Sequence, residues 1–511
     1  MLNENIVLTS HPLARQAGQK MLEKGGNAID AAVASALALM VVEPTSTGLG
    51  GDSFALVWAY ENLYGLNASG YSPQGISINN LKSRGFKEVP EYGMIPVTVP
   101  GGLSGLVALS ERFGKLNFKD LFEPALKLAR EGYLVTPIVA KLWEKSFNLY
   151  CEKLKGEEFN EWFKTFTRNG KVPKVGDLWI SNDLADSLEL IAKTKGQALY
   201  QGEIGDKIDK FSKKNGGYLR KSDMETYKPE WVEPINVEYR DYNIWEIPPN
   251  GQGIVSLMAL NILNNMDINK FDELKALHTS IEAIKLSFAD AKAYISDMDF
   301  MSYKVDELLS DEYAKSRGKL IKEFASNPTC GNPRESETVY VATSDTMGNM
   351  VSLMQSHFMG FGSGIVVPGT GIPLHNRGRG FSLDKSHPNA LGPNKRPYHT
   401  IIPSFITKVG RPVGPLGIVG GLMQPQGQVQ LLLNLIDNKK SPQEALDKYR
   451  WQWIKGKVIQ VERGFPKRII NGLIEKGHIV EIQDDLTTMG RGQIIWKDND
   501  KIQCGRDKRA D

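Results

Sequence analysis

The chain changes character at one place. Residues 326–337 read S-N-P-T-C-G-N-P-R-E-S-E, a polar stretch whose Asn, Pro, Gly and Ser content predicts an exposed linker. Before it the pattern is helix-rich. Pro12 to Lys24 is a helix stopped by Gly25-Gly26, and Asn27 can cap a second helix that is apolar nearly all round. Residues 116–235 read as largely helical, as do Gly253 to Leu263 and Leu274 to Met298. After the linker, strands dominate. Val339, Val341 and Thr343 alternate with Thr338, Tyr340 and Ala342, Met347-Gly348-Asn349 turns the chain, and residues 350–356 alternate again, which predicts a hairpin. Further strands are expected over Thr400 to Lys408 and Leu416 to Val419, then a helix from Gln424 to Ile436. Helices joined in this way to strands predict layered sheets flanked by helices.

Composition removes several function classes. A net charge of +3 over 511 residues gives no basic face for nucleic acid and no patch for a membrane surface. The longest apolar run, Ala31 to Val42, is too short to span a bilayer, which takes ~20 residues. No basic-then-apolar leader is visible at the start, and three scattered cysteines, Cys151, Cys330 and Cys504, suit a reducing compartment. A cytoplasmic protein is expected. The seven histidines form no tight ligand spacing, so no metal is expected, and His357 and His375 read as ordinary polar residues near a pocket. Neither Gly48-Leu49-Gly50-Gly51 nor the 360–364 glycines fit a nucleotide fingerprint; glycine there serves unusual backbone angles or close packing. No cofactor is expected, and no G-x-S-x-G elbow occurs.

Thr338 stands at the edge of the predicted hairpin, directly after the linker. A threonine hydroxyl is a weak nucleophile unless a base adjoins it. A chain break before Thr338 would supply one, the freed α-amine, with an ordinary pKa of ~7.7–8.0. Many strands begin with threonine, so the pattern alone does not decide the matter.

Longer blocks do. H-P-L-A-R-Q-A-G, G-G-N-A-I-D-A-A-V-A and V-V-E-P-T-S-T-G-L-G-G-D-S-F precede the linker. E-T-V-Y-V-A-T-S-D-T-M-G-N-M-V-S, G-F-G-S-G-I-V-V-P-G-T-G-I, F-S-L-D, L-G-P-N-K-R-P, I-I-P-S-F and V-G-G follow it. In this order they resemble the γ-glutamyltransferase (γ-glutamyl transpeptidase) family over most of the chain. The resemblance implies an α/β N-terminal-nucleophile (Ntn) hydrolase with an αββα four-layer sandwich. It implies self-cleavage between Glu337 and Thr338 into a large part, 1–337, and a small part, 338–511, which stay together as one globular unit. Whether that unit forms a homodimer is left open.

The resemblance also assigns roles one residue at a time. Thr338 falls on the nucleophile and Ser356 on a hydroxyl that contacts it. Gly420 and Gly421 fall on the pair whose N–H groups form the oxyanion hole; a tight turn there is equally compatible. Departures from the pattern are concentrated around the substrate. No arginine occurs in N-A-S-G-Y-S-P, residues 67–73, where the family holds a glutamyl carboxylate. Phe358 replaces a substrate asparagine. The segment that grips an α-ammonium is His375-Asn376-Arg377-Gly378-Arg379-Gly380-Phe381, and His399-Thr400 replaces a serine pair. The lid loop of many bacterial members looks absent. Asn376, Arg377, Arg379, His399 and Thr400 are thus the expected substrate-binding residues, and Arg377 with Arg379 inverts the local charge in favour of carboxylates. The expected function is hydrolysis of γ-glutamyl or similar amides through an acyl-enzyme, with transfer weak. Two alternatives stay open: an acylase or small-amide amidohydrolase of glutaryl- or oxamate-like substrates, and a non-catalytic relative. The expected partner is a small amide carrying a carboxylate.

Overall fold

In the computed structural model, residues 4–328, 337–498 and 501–511 are described. The centre of the expected linker, including Cys330, lies outside them.

Two six-stranded sheets lie face to face. In the first, the strand order is Ile6–Thr9, Glu337–Ser344, Met350–Phe358, Asp52–Ala59, Asn62–Ala68, Glu230–Val232. In the second it is Lys501–Arg506, Arg491–Asp498, Arg411–Val419, Ser404–Lys408, Tyr242–Glu246, Ile235–Tyr239. Both sheets therefore combine strands from before and after residue 337. Their inner faces share an apolar layer that includes Phe54, Leu56, Tyr340, Met354, Phe405 and Ile495. Two larger apolar clusters lie on the outer faces. One packs the first sheet against helices Pro12–Glu23 and Ala28–Val42 and the helices that follow. The other packs the second sheet against helices Gly253–Asn264, Glu273–Tyr294 and Met423–Leu432. This is the expected αββα sandwich.

The hairpin that carries Thr338 is fixed from both ends. Asp345 closes its turn by accepting the N–H groups of Met347 and Asn349. Its other oxygen accepts the N–H of Ala28, the first residue of helix Ala28–Val42. That helix is buried along all 15 residues, and Asn27 and Asp30 complete a capping box at its start. A helix without a solvent face can only lie between layers, and here it sits beneath the hairpin.

Several expectations need correction. Strands Ile6–Thr9 and Asn62–Ala68 and the hairpin Ile235–Tyr239/Tyr242–Glu246 were not foreseen. Ile6–Thr9 pairs with the outer edge of the Thr338 strand, with Thr9 opposite Val341. The strand expected from Thr400 begins at Ser404, directly after Pro403, which lacks an N–H for the ladder. The linker's first residue is not free. Ser326 donates its N–H to the buried Glu282, and its carbonyl accepts from Lys285. No helix among the described residues is long and apolar enough to cross a membrane.

Glu246 ends one strand of the second sheet with a fully buried carboxyl. Neither of its oxygens has a hydrogen-bond partner of good geometry. Burial raises this carboxyl well above the usual carboxylate range, tempered by Ser404 and Gln428. The folded state keeps a proton that the unfolded chain releases near pH ~4.3, so stability declines as pH rises above that value. Glu246→Gln, which cannot ionise, is expected to raise the melting midpoint, and to raise it more at pH 8 than at pH 5. Thermal melts at both pH values check this; a gain independent of pH would show that Glu246 does not titrate as described.

Candidate active site

Thr338 sits opposite a fault in the ladder. Pairing between the hairpin strands is regular from Met350↔Ser344 to Gln355↔Val339, and then jumps to Phe358↔Glu337. Two residues, Ser356 and His357, therefore face the single residue Thr338. This is a β-bulge, a device that re-aims side chains beside functional sites. Phe358 closes it with φ +78°, a conformation strained for a bulky side chain. The Phe358 N–H donates to Ser356 Oγ at 2.8 Å, which offsets part of that strain. Thr338 is fully buried, and its Oγ1 accepts from Gln424 Nε2 at 3.2 Å.

On the other side of the bulged strand lies Asp52, in register with Ser356. One carboxylate oxygen accepts the N–H groups of Gly70 and Gly101 at 3.1 and 3.2 Å. The other meets His399 Nε2 at 3.1 Å and His375 Nδ1 at 3.3 Å. Burial alone would raise this carboxyl, but His375 and then His399 hold it well below the usual range. His399 Nδ1 accepts the Ile401 N–H, so its proton must be on Nε2, facing Asp52. Burial, with Arg377 nearby, pushes the His399 imidazole down to about 3. Both of its nitrogens are occupied, so His399 shapes the wall of the site and has no free nitrogen for a substrate. The preceding loop approaches closely because it is glycine. A Cβ on Gly51 would lie 2.7 Å from the Ser356 carbonyl oxygen.

Arg377 is fully buried in the short turn Arg377–Gly380. Its two terminal nitrogens donate to Thr400 Oγ1 at 2.9 Å and Ser356 Oγ at 3.3 Å. The guanidinium carbon lies 4.4 Å from the centre of the Phe358 ring, and Nε has no partner. Among the described residues, no carboxylate pairs with it. Burial lowers it to about 9, opposed by Asp52, so it stays charged at neutral pH. Arg379 differs. It pairs with Glu88 at 2.7 Å and lies 3.8 Å from Glu91. Asn376 is committed to the main chain: its amide donates to the Glu91 carbonyl and accepts the Met359 N–H. The two arginines are thus unequal in the fold.

Gly420 and Gly421 join strand Arg411–Val419 to helix Met423–Leu432 with φ of +124° and +58°. Their carbonyls accept the N–H groups of Met423 and Gln424, the first two helical residues. In a trans peptide the Gly421 N–H is opposed to the Gly420 carbonyl, so it points away from the helix. The positive end of the helix backs the same turn. Two cavities flank it. One, of about 470 Å³, is bordered by Phe358, Arg379, Tyr398 and Thr400. The other, of about 300 Å³, is bordered by Met359, Gly420 and Gln426; Leu422 and Trp453 line both.

Sequence reasoning missed Asp52 and Gln424. Asp52 had a signal, a carboxylate opening an otherwise apolar strand. Gln424 had none beyond lying three residues after the glycine pair. It also missed a distant cluster, His278, Glu282 and His478, whose ligand atoms lie within 4.8 Å of one another although the histidines are 200 residues apart. There Lys285 Nζ already holds Glu282 at 2.6 Å.

Comparison with known proteins agrees with this architecture. The Gamma-glutamyltranspeptidase family profile matches residues 14–511. The chain is 36% identical to the glutathione hydrolase-like YwrD proenzyme of Bacillus subtilis, over 99% of this chain and 97% of that one. It is 32% identical to the acylase ACY 1 proenzyme of a Pseudomonas species, over 94% and 87%. The crystal structure of cephalosporin acylase from Bacillus halodurans superposes with a TM-score of 0.97 at 48% identity, covering 100% of this chain and 95% of that one. The chain belongs to the gamma-glutamyltranspeptidase family, as an enzyme on the Ntn-hydrolase fold and similar to the family's acylases.

Proposed function

We propose that the protein is a self-processing amide hydrolase that uses Thr338 as nucleophile and takes acyl groups bearing a carboxylate. The observation that carries this reading is Arg377, a buried cation beside Ser356 and Thr400 that no described carboxylate neutralises. An isolated buried charge is costly, and a ligand carboxylate would offset that cost with charge-assisted hydrogen bonds.

The chemistry follows in order. Cleavage between Glu337 and Thr338 frees the Thr338 α-amine. That amine takes the Oγ proton as Oγ attacks the substrate carbonyl carbon. The N–H groups of the Gly420–Gly421 turn stabilise the oxyanion, a contribution of ~2.7–4 kcal/mol per donor in comparable sites. The C–N bond breaks, the leaving amine carries off the proton, and an ester to Thr338 remains. Water, giving a proton to the amine, then attacks the ester carbonyl; the bond to Thr338 Oγ breaks, Oγ takes that proton back and the acid leaves. An α-ammonium on the acyl group would meet Arg377 rather than an acid or amide, which favours acyl groups without one. A γ-glutamyl substrate is the second reading, supported by the likeness to a glutathione hydrolase-like protein, since its carboxylate could also pair with Arg377.

Two outcomes are expected. On a denaturing gel the wild type gives two bands, the larger about twice the mass of the smaller, and the smaller begins T-V-Y-V-A-T. Thr338→Ala gives one band and no turnover; two bands from that variant would remove Thr338 from the reaction. In the second test, kcat/KM is compared for glutaryl, γ-glutamyl and butyryl anilides. Glutaryl should lead, and Arg377→Gln should lower its value by roughly 10- to 100-fold, the equivalent of ~1.5–3 kcal/mol, while butyryl changes little. Equal losses on glutaryl and butyryl would exclude Arg377 as the carboxylate receptor, and a lead for γ-glutamyl would favour the second reading.

A further inference from the structure

We propose that Gln424 is a positioning residue that sets the direction in which the Thr338 hydroxyl releases its proton. This rests on Thr338 being the nucleophile. Helix Met423–Leu432 carries four buried glutamines at alternate positions, Gln424, Gln426, Gln428 and Gln430. Three of them have a main-chain explanation. Gln426 and Gln430 each accept the N–H and bind the carbonyl of a tryptophan, Trp453 and Trp451, much as a neighbouring strand would. Gln428 donates to the Ile402 carbonyl at 2.9 Å and accepts from Ser256 at 2.8 Å. Gln424 differs. Its Oε1 accepts the Ile402 N–H, and its Nε2 donates to Thr338 Oγ1, each at 3.2 Å. Of the four, it alone turns its amino group to a hydroxyl.

The amide's orientation is not free. A backbone N–H can only donate, so the Gln424 oxygen must face Ile402 and the amino group must face Thr338. Ile402 is itself held, because Gln428, one helical turn on, binds its carbonyl. Thr338 Oγ1 is therefore obliged to accept at that position. Its single proton must point elsewhere, and after cleavage the freed α-amine of the same residue is the base within reach. The same donor keeps the hydroxyl in one rotamer during attack. Helix Met423–Leu432 thus presents the glycine turn for the oxyanion at its start and, within its first turn, the group that orients the nucleophile.

Gln424→Met removes the donor. Gln424→Glu keeps the shape, but its ionised carboxylate draws the Thr338 proton toward itself, whereas its protonated form can donate again. Until the chain is cut the α-nitrogen is an amide, so kcat and KM are measured from pH 5 to pH 8 on material that has cleaved, where the amine is the base. The Met variant should be slower by about tenfold or more at every pH, with KM little changed. For the Glu variant, the rate relative to wild type should rise as pH falls. A Glu variant with a constant ratio to wild type across pH, a folded and cleaved Glu variant inactive at every pH, or a Met variant within about twofold of wild type would overturn the proposal. Activity surviving in Thr338→Ala would instead overturn the nucleophile assignment on which it rests.

Discussion

One buried negative charge, Asp52, organises the site. It lies at the start of a central strand beside the hairpin, where it accepts two backbone N–H groups and the His399 Nε2–H and lies 3.3 Å from His375 Nδ1. Each partner comes from a different segment: the loop at residue 70, the loop at 101, the chain at 375 and the chain at 399. Removing a partner would leave a buried carboxylate less fully satisfied, which is costly in a low-dielectric interior. The four segments are therefore locked together. The segments at 375 and 399 also deliver Arg377 and Thr400, so the position of the buried cation is set by the buried anion. The two do not touch. Asp52 is in register with Ser356 and Arg377 donates to the Ser356 hydroxyl, so the carboxylate supports the charge on Arg377 without pairing with it.

The layered fold was legible because its signals are local. The alternation on either side of Met347-Gly348-Asn349 is a period-two pattern, and the all-apolar run from Ala31 has no other stable place than between layers. The missed strands are short or weakly patterned. Ile6–Thr9 has four residues and pairs with a partner more than 300 positions away, a relation that no window can contain. Gly65 interrupts the strand Asn62–Ala68.

The site was legible in part. Thr338 and the glycine pair stood out through blocks of sequence, and the change to arginine was visible as a change in residue type. The partners that set the two arginines apart were not visible. Arg377 and Arg379 are two residues apart in one glycine-rich turn, yet one meets two hydroxyls and the Phe358 ring while the other faces Glu88 and Glu91. That difference depends on a loop nearly 300 positions upstream. His399 shows the reverse error. Its place in the pattern suggested substrate, but the fold uses both nitrogens to hold Asp52 and Ile401.

The interleaving of strands gives the molecule a history. Ile6–Thr9, Asp52–Ala59 and Asn62–Ala68 share a sheet with the Thr338 hairpin, and Tyr242–Glu246 lies beside Ser404–Lys408 in the other. While the chain is whole, these pairings form within one molecule, and their probability does not depend on concentration. A cut before Thr338 would sever only the first residue, Glu337, from its strand and still alter what unfolding means. Two separate chains would then have to find each other and rebuild both sheets at once, so recovery would become a second-order process that dilution slows. The topology sets the order for any such cut: fold first, cut second, with no equally easy return.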